Sequence, residues 1–587
     1  MHSKLAGKKE GLRVGLVWRV LVFAAPFVIY VVLSLILFCH SIDWTRSFLA
    51  SDHWESGDPI AYVWFMNWFP FAIIHHLNPF ISNYVWYPKG FNLTWMTSAP
   101  LAALLGAPLT LLGGPVLTYN FWSIMAPALS AWTAFLLARY LTLDWTAALV
   151  GGYLFGFSSY ELGHLLVGHL CLDLVFLVPL AVLLCVRRVR GEMRRWKFIV
   201  VLTIVLLLEF GLSTEIVATL CVLGAITWGI FLICAPATDR RPYWELAIDI
   251  ALAAGATIVL AAPFLLYVIR GLPDVPPVIF SPEAGSADAL NYIVPTPVNL
   301  FGFIFSSLPS HFSGGWSEAG AYLGPPLVLL LAFYFRDQIG NRYTRALFLT
   351  LCMLAVLSLG PRLHIGGFLQ YVPLPWSLAE RLPLIRSAMP IRFTMYVALA
   401  ASVAAALYLA APGIGRWRLW RFALAGIACL SLVPDVRFYG WRRWPVQPFF
   451  TPQNVLQKLG NMPNVLVLPA GWLSPSLAWQ LDAGMRFTQT VGFVGFSPYS
   501  ERAWFAFHGD FANGMLTTGQ GELVTGAVSP QFGNDLAAFC ATHHVNYILM
   551  GPGTPSSIIA AVSELQWRQS VEQGVVVVQV PPPTQLP

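Results

Sequence analysis

The chain contains a long series of apolar stretches, most of them close to the length that an α-helix needs to cross a lipid bilayer. Eleven of these stretches lie near residues 20–39, 116–138, 145–160, 170–186, 198–213, 216–234, 246–268, 320–335, 346–360, 389–411 and 422–436. Over the whole chain, 57% of the 587 residues are hydrophobic and 11% are charged, which is too little polar surface for a soluble protein of this size. The sequence therefore predicts an α-helical polytopic membrane protein with about 11 transmembrane helices.

The distribution of basic residues predicts an orientation in the membrane. With the N-terminus inside, the inner segments hold most of the Lys and Arg, including the cluster from Arg187 to Lys197, whereas the outer loops before residue 437 hold few. The N-terminus is therefore predicted to be cytoplasmic. The high ratio of Arg to Lys favours a bacterial source, so we expect an integral protein of the bacterial inner membrane. Membrane insertion already explains the net charge of +6, and no nucleic-acid partner is implied.

The composition changes to that of a soluble domain after residue 438. Apolar runs shorten there to strand length, and the predicted strands are 465–468, 547–550 and 575–580, with helices predicted at 451–460, 533–544 and 556–567. Eleven crossings place this segment outside the cell membrane. We therefore predict a transmembrane domain of residues 1–438, with a large first outer loop at 40–115, and an extracytoplasmic α/β domain of residues 439–587.

The first outer loop collects acidic and aromatic residues at the mouth of the predicted membrane domain. Its acids Asp52, Glu55 and Asp58 follow the first span directly, where a carboxylate is unfavourable unless it has a function. Trp54 and Trp64 lie among them, and aromatic rings stack on the CH faces of sugars while acids reach the hydroxyl groups. The alternative is that these rings belong to the aromatic belt at the membrane interface.

A second group of polar residues lies at the outer ends of later spans. Glu161, His164 and His169 lie between spans three and four, and Glu215 lies at the turn between spans five and six. The two histidines are five residues apart, whereas three or four would place two ligands on one helical face, so the spacing disfavours a metal site. We expect contacts with an acceptor, and the alternatives are hydrogen bonding at the interface or, for Glu215, a helix cap.

Several short motifs resemble a known class of enzymes. The first outer loop resembles that of bacterial membrane glycosyltransferases of the GT-C class in Gly57-Asp58-Pro59 followed by Trp64, Asn78-Pro79-Phe80, and Tyr87-Pro88-Lys89-Gly90 with Asn92. The later segment from Arg386 to Phe393 resembles a basic element that such proteins carry where a late span enters from the outer face. The resemblance covers most of the predicted membrane domain, from the first outer loop to span ten.

The resemblance implies an activity and roles for individual residues. Members of the class take a sugar from a polyprenyl-phosphate carrier and pass it, with inversion, to a glycan, lipid or protein acceptor on the outer face. By its position in the motif, Asp58 would be the general base, with Asp52 or Glu55 placing the acceptor. Arg386 and Arg392 would bind the donor phosphate, or else anchor span ten at the lipid headgroups. The sequence requires no cofactor, and a divalent cation is compatible with it.

Two other classes of function fit the sequence less well. A transporter or flippase for a lipid-linked glycan would need polar residues deep within several spans and usually internal repeats, and the sequence shows neither. A non-catalytic membrane assembly protein would leave the acids of the first outer loop without an explanation. We therefore favour the transferase.

Overall fold

The computed structural model describes residues 23–51, 57–96, 98–274, 281–379, 388–413, 415–471, 473–492 and 532–582. These residues form two compact units. Unit 1 takes the described parts of residues 1–42, 121–259 and 282–440, and unit 2 takes those of residues 43–120, 260–281 and 441–587.

The α-helices of the described residues follow one another in chain order. They are α1 (Phe23–Phe38), α2 (Asp58–Ile74), α3 (Pro100–Leu105), α4 (Ala107–Gly113), α5 (Pro115–Thr142), α6 (Trp145–Gly156), α7 (Ser159–Val167), α8 (Leu170–Asp173), α9 (Leu177–Val189), α10 (Arg195–Leu212), α11 (Thr214–Cys234), α12 (Arg241–Leu260), α13 (Ala262–Gly271), α14 (Gly315–Glu318), α15 (Pro325–Gln338), α16 (Arg342–Ser358), α17 (Trp376–Ala379), α18 (Thr394–Ala410), α19 (Arg416–Ser431), α20 (Pro452–Leu459), α21 (Ser476–Asp482), α22 (Phe532–Thr542) and α23 (Ser556–Glu564). A 3-10 helix, Pro390–Phe393, leads into α18.

The strands of the described residues are short. They are β1 (Ser47–Ala50), β2 (Ile81–Ser82), β3 (Phe91–Asn92), β4 (Arg362–Ile365), β5 (Phe368–Pro373), β6 (Gly440–Arg443), β7 (Asn464–Leu468), β8 (Thr488–Gln489), β9 (Tyr547–Met550), β10 (Gln569–Glu572) and β11 (Val575–Gln579).

Each of the eleven apolar stretches predicted to cross the membrane contains an α-helix. Five helical segments are long and apolar enough to cross a bilayer, namely Pro115–Thr142, Leu170–Val189, Thr214–Cys234, Ala237–Leu260 and Pro390–Ala410. The helices at the other predicted spans are shorter or less apolar, as α6 and α15 are. The chain is therefore an integral membrane protein, and the full set of eleven crossings stays a prediction.

The predicted topology has a direct test by fusion of a reporter that is active only outside the cytoplasm. Fused after residue 440, the reporter is expected to be active, because eleven crossings return the chain to the outer face. Fused near residue 192, within the basic cluster, it is expected to be inactive. An inactive reporter at 440 would reject the eleven-span count.

In unit 1, α6 packs closely against two other helices because its glycines carry no side chain. A Cβ atom at Gly151 would lie 3.1 Å from the Cβ of Ala406 on α18, and one at Gly156 would lie 2.3 Å from the backbone nitrogen of Ala131 on α5. Small residues permit this close approach between helices in a membrane. The packing holds the end of α6, after which the side chain of Ser158 accepts a hydrogen bond from the N–H of Glu161 and begins α7.

Unit 2 contains a five-stranded mixed sheet in the order β10-β11-β9-β7-β8. Strand β7 runs parallel to β8 and β9, whereas β11 runs antiparallel to β9 and β10. Gln573 and Gly574 both have positive φ, 51° and 85°, as the two-residue turn of a β-hairpin requires. The strands predicted at 465–468, 547–550 and 575–580 correspond to β7, β9 and β11.

Unit 2 also contains α2, which the sequence placed in the first outer loop of the membrane domain. Trp64 of α2 is fully buried, its ring stacks on Trp68 with 5.2 Å between centroids, and its Nε1–H donates to Oε1 of Gln480 at 2.9 Å. Trp64 is therefore a core residue of unit 2 in this structure rather than an exposed wall of a sugar-binding cleft. The predicted domain boundary at 438/439 lies close in sequence to residue 441, from which the rest of the chain belongs to unit 2, but residues 43–120 also group with unit 2.

Candidate functional site

The predicted residues of the first outer loop are described only in part. Asp52, Trp54 and Glu55 lie outside the described residues, as does Arg386. Asp58 is half-buried and is the first residue of α2. A carboxylate there is stabilised by the positive end of the helix dipole, and the helix gives it a fixed position. The position of Asp58 at the start of α2 is therefore compatible both with a structural role and with the role of a general base.

His164 and His169 lie side by side in unit 1. Gly168 ends α7 in the left-handed conformation, with φ at 75°, and the chain folds back so that the N–H of His169 donates to the carbonyl of His164 at 3.0 Å. The Nδ1 atoms of the two rings are 3.0 Å apart, so one ring donates and the other accepts. The spacing argument against a shared ligand site is therefore wrong, because it assumed one continuous helix and the helix ends between the two residues.

Glu318 joins the histidines from a distant part of the chain. It is the last residue of α14, is 6% exposed, and places Oε2 at 3.9 Å from Nε2 of His164. One ligand atom from each of His164, His169 and Glu318 lies within 4.8 Å of the other two. Sequence reasoning missed Glu318, although an acid beside Trp316 in a long outer loop is the same feature that drew attention to the first outer loop.

Arg392 pairs with two glutamates at once. It lies in the 3-10 helix before α18, is 8% exposed, and donates from Nη2 to Oε1 of Glu318 at 2.8 Å and from Nη1 to Oε2 of Glu215 at 2.7 Å. The sequence analysis assigned Arg392 and Glu215 to separate roles, and the structure brings them into contact. We refer to His164, His169, Glu215, Glu318 and Arg392 as the polar cluster.

The charges of the polar cluster favour a cation as its ligand. Burial lowers the pKa of His164 to about 3, so its ring is neutral at pH 7. Burial raises the pKa of Glu318, but the positive charge of Arg392 outweighs it and brings the pKa of the carboxyl down to about 2. Two carboxylates, Glu215 and Glu318, then face one guanidinium. An added cation would offset the excess negative charge, whereas an added anion would increase it.

His164, His169 and Glu318 also have the chemistry of a site for a divalent cation. Two imidazoles and one carboxylate are a common set of three protein ligands in catalytic metal sites, which keep one position open for substrate. Metal–ligand bonds of about 2.0–2.2 Å place neighbouring ligand atoms roughly 3–4 Å apart, and the atoms of His164 and Glu318 are 3.9 Å apart. The ring of Tyr160 packs edge-on against His164, with 4.5 Å between centroids, and orients it. The residues present therefore fit such an ion.

Glu161 lies beside another buried acid. Glu161 and Asp173 are each 1% exposed, and one carboxylate oxygen of each has no hydrogen-bond partner among the described residues. Burial raises the pKa of Glu161, and the charge of Asp173 raises it further. Its contact with an acceptor stays a prediction.

We expect His164 to contribute a loss of stability as the pH falls below about 6.5, whereas the raised pKa of Glu161 contributes in the opposite direction. The pKa of His164 is 6.5 in the unfolded chain and about 3 in the folded one, so the unfolded state binds the additional proton between these values. Glu318 acts in the same direction from pH 4.5 downward, because its pKa is also lowered by folding. The apparent melting temperature in detergent is measured from pH 7.5 to 5 for the wild type and for two variants. The difference between wild type and His164→Gln should shrink as the pH falls, whereas the difference between wild type and the exposed His75→Gln should not. A difference for His164→Gln that does not change with pH would contradict this account.

Comparison with known proteins gives a family and a fold. A family model described as a domain of unknown function (DUF6311) matches residues 24–433. No curated protein matches the sequence.

Solved structures of other proteins are similar in fold at low sequence identity, among them the following two. The archaeal oligosaccharyltransferase AglB from Archaeoglobus fulgidus, in complex with an inhibitory peptide and a dolichol-phosphate, is 13% identical with a TM-score of 0.51, over 90% of this chain and 69% of that one. The arabinofuranosyltransferase AftD from Mycobacteria is 12% identical with a TM-score of 0.56, over 95% of this chain and 40% of that one. The chain therefore has the fold of GT-C glycosyltransferases, which confirms the resemblance seen in the sequence.

Proposed function

We propose that this chain, which belongs to the DUF6311 family, is a membrane glycosyltransferase that moves a sugar from a polyprenyl-phosphate carrier to an acceptor on the outer face of the membrane. The observation that carries the proposal is the polar cluster, which brings ligands for a cation together in a protein with the GT-C fold. A fold alone hosts many reactions, so the cluster is the more specific support.

The donor in this proposal leaves its sugar as a lipid phosphate. A divalent cation held by His164, His169 and Glu318 would supply positive charge to the leaving phosphate. The AglB structure contains a dolichol-phosphate, which supports a lipid phosphate as the class of carrier. Arg392 adds a guanidinium, the group best suited to bind phosphate oxygens.

The acceptor reacts through a proton transfer to Asp58. A hydroxyl oxygen of the acceptor attacks the anomeric carbon and forms the new glycosidic bond, while the bond from that carbon to the phosphate oxygen breaks. The electron pair leaves with the phosphate, and the carboxylate of Asp58 takes the hydroxyl proton. Attack on the face opposite the leaving group inverts the configuration. Asp52 or Glu55 is proposed to place the acceptor.

Removal of divalent cations is expected to stop the transfer. Purified protein in lipid nanodiscs, dialysed against a chelator, should lose at least about a hundredfold in turnover, because the polar cluster alone carries excess negative charge beside a phosphate leaving group. Addition of Mn²⁺ should restore it. The measurement is release of polyprenyl phosphate, paired with the metal content by mass spectrometry. Full turnover by protein shown to be free of metal would contradict the role of the cation.

A further inference from the structure

We propose that Glu215 occupies, in the ligand-free protein, the position at Arg392 that an oxygen of the donor phosphate takes on binding. This inference rests on the proposed function. It concerns the step before chemistry, in which one anionic partner of Arg392 is exchanged for another.

The two glutamates bind Arg392 in different ways. Glu318 receives two contacts from the guanidinium, from Nη2 at 2.8 Å and from Nε at 3.4 Å, and its side chain is 6% exposed. Glu215 receives the contact from Nη1 at 2.7 Å, and its side chain is 25% exposed. Glu318 is therefore the enclosed partner, and Glu215 is the partner that solvent, and hence a ligand, can reach.

Glu318 also lies close to His164, and this is a second difference between Glu318 and Glu215. Its Oε2 lies 3.9 Å from Nε2 of His164, which is 1% exposed, so movement of Glu318 would disrupt the proposed ligand set. Glu215 has no place in that ligand set, because the group of possible ligands consists of His164, His169 and Glu318. Exchange at Arg392 is therefore expected at Glu215.

A phosphate oxygen can replace the carboxylate of Glu215 without leaving Arg392 unpaired. The guanidinium binds carboxylate and phosphate oxygens through the same N–H donors, so the hydrogen bond is exchanged rather than lost. Glu215 also lies in the first turn of the 21-residue helix α11, where the helix dipole favours negative charge of either kind.

The two glutamates give opposite expectations when each is made neutral. Glu215→Gln removes the charge that competes with the ligand, so the protein should bind a polyprenyl phosphate about tenfold more tightly, a change of the size expected for one charge-assisted hydrogen bond. Glu318→Gln removes a ligand of the cation and should weaken the same binding. Glu245→Gln is the matched control, since Glu245 also pairs with an arginine, Arg241, on the predicted cytoplasmic side, and it should change nothing.

The experiment is a binding titration with wild-type and variant chains in nanodiscs that contain Mn²⁺, using a polyprenyl phosphate and, separately, inorganic phosphate. Tighter binding of the polyprenyl phosphate to Glu215→Gln supports the inference, and Glu215→Ala provides a second variant should the first fail to fold. Unchanged or weaker binding in the folded variants overturns it. Tighter binding of inorganic phosphate alone overturns the assignment to a lipid carrier. The titration needs no turnover, so failure of the transferase proposal would be seen separately, in the transfer assay.

Discussion

Asp58→Asn is expected to reduce transfer at least about a hundredfold while the protein still inserts into the membrane. The amide keeps the size of the carboxylate and much of its hydrogen bonding at the start of α2, but it cannot take a proton from the acceptor. The loss of a negative charge near the helix N-terminus should lower stability only by about 0.3–1 kcal/mol. The measurement is turnover per inserted molecule, with protein level determined in the same membranes.

Three further variants of acids in this part of the chain make the result specific. Asp43→Asn is the matched control, because Asp43 accepts hydrogen bonds from the backbone of Thr45 and Arg46 and its change should leave turnover unaltered. Asp52→Asn and Glu55→Gln should lose less than Asp58→Asn. If Asp58→Asn retains near-normal transfer while Asp52→Asn is inactive, the base is Asp52 and the motif was assigned to the wrong acid.

Glu318→Gln is expected to lose both the bound cation and the transfer, each by at least about a hundredfold. The amide oxygen can still accept a hydrogen bond from Arg392, so the side chain keeps its place. The amide is neutral, however, so the side chain no longer supplies the negative charge that the divalent cation requires of this ligand. Metal content by mass spectrometry and turnover should therefore fall together.

Another glutamate–arginine pair of unit 1 provides the control, because it tests whether loss of any ion pair would have the same effect as Glu318→Gln. Glu283→Gln removes the partner of Arg362, which lies outside the polar cluster, and metal content and turnover should both stay at the wild-type level. Wild-type metal content in Glu318→Gln would show that the cation, if bound, is held elsewhere. The role assigned to the polar cluster would then be wrong.

Local sequence patterns were sufficient to predict where most elements lie. Each predicted apolar stretch contains an α-helix. The runs at 547–550 and 575–580 correspond to the neighbouring strands β9 and β11, because a continuous apolar run bounded by turn residues is typical of a buried strand. The same patterns say little about which element packs on which. Trp64 shows this, since an aromatic residue in an outer loop has the same local signature whether it lines a cleft or, as here, lies in a core.

The polar cluster depends on contacts that have no local signature. Arg392 lies 177 residues from Glu215 and 74 from Glu318, and only the packing of the helices brings the three together. The sequence identified four of the five members, yet it assigned them to separate roles. The argument from the spacing of the two histidines was wrong for a different reason. It assumed one continuous helix, whereas Gly168, in the left-handed conformation, ends the helix between them.

Transfer by the purified chain tests the central claim most directly. Protein in nanodiscs with Mn²⁺ is supplied with polyprenyl-phosphate sugars labelled in the sugar, together with a glycan and lipid extract as acceptor. The account predicts that the label moves to an acceptor, that free polyprenyl phosphate is released in equal amount, and that the new linkage has the inverted configuration. The account is contradicted if the labelled donor binds but its sugar–phosphate bond stays intact with every donor and acceptor tested. That result would favour a transport or assembly role.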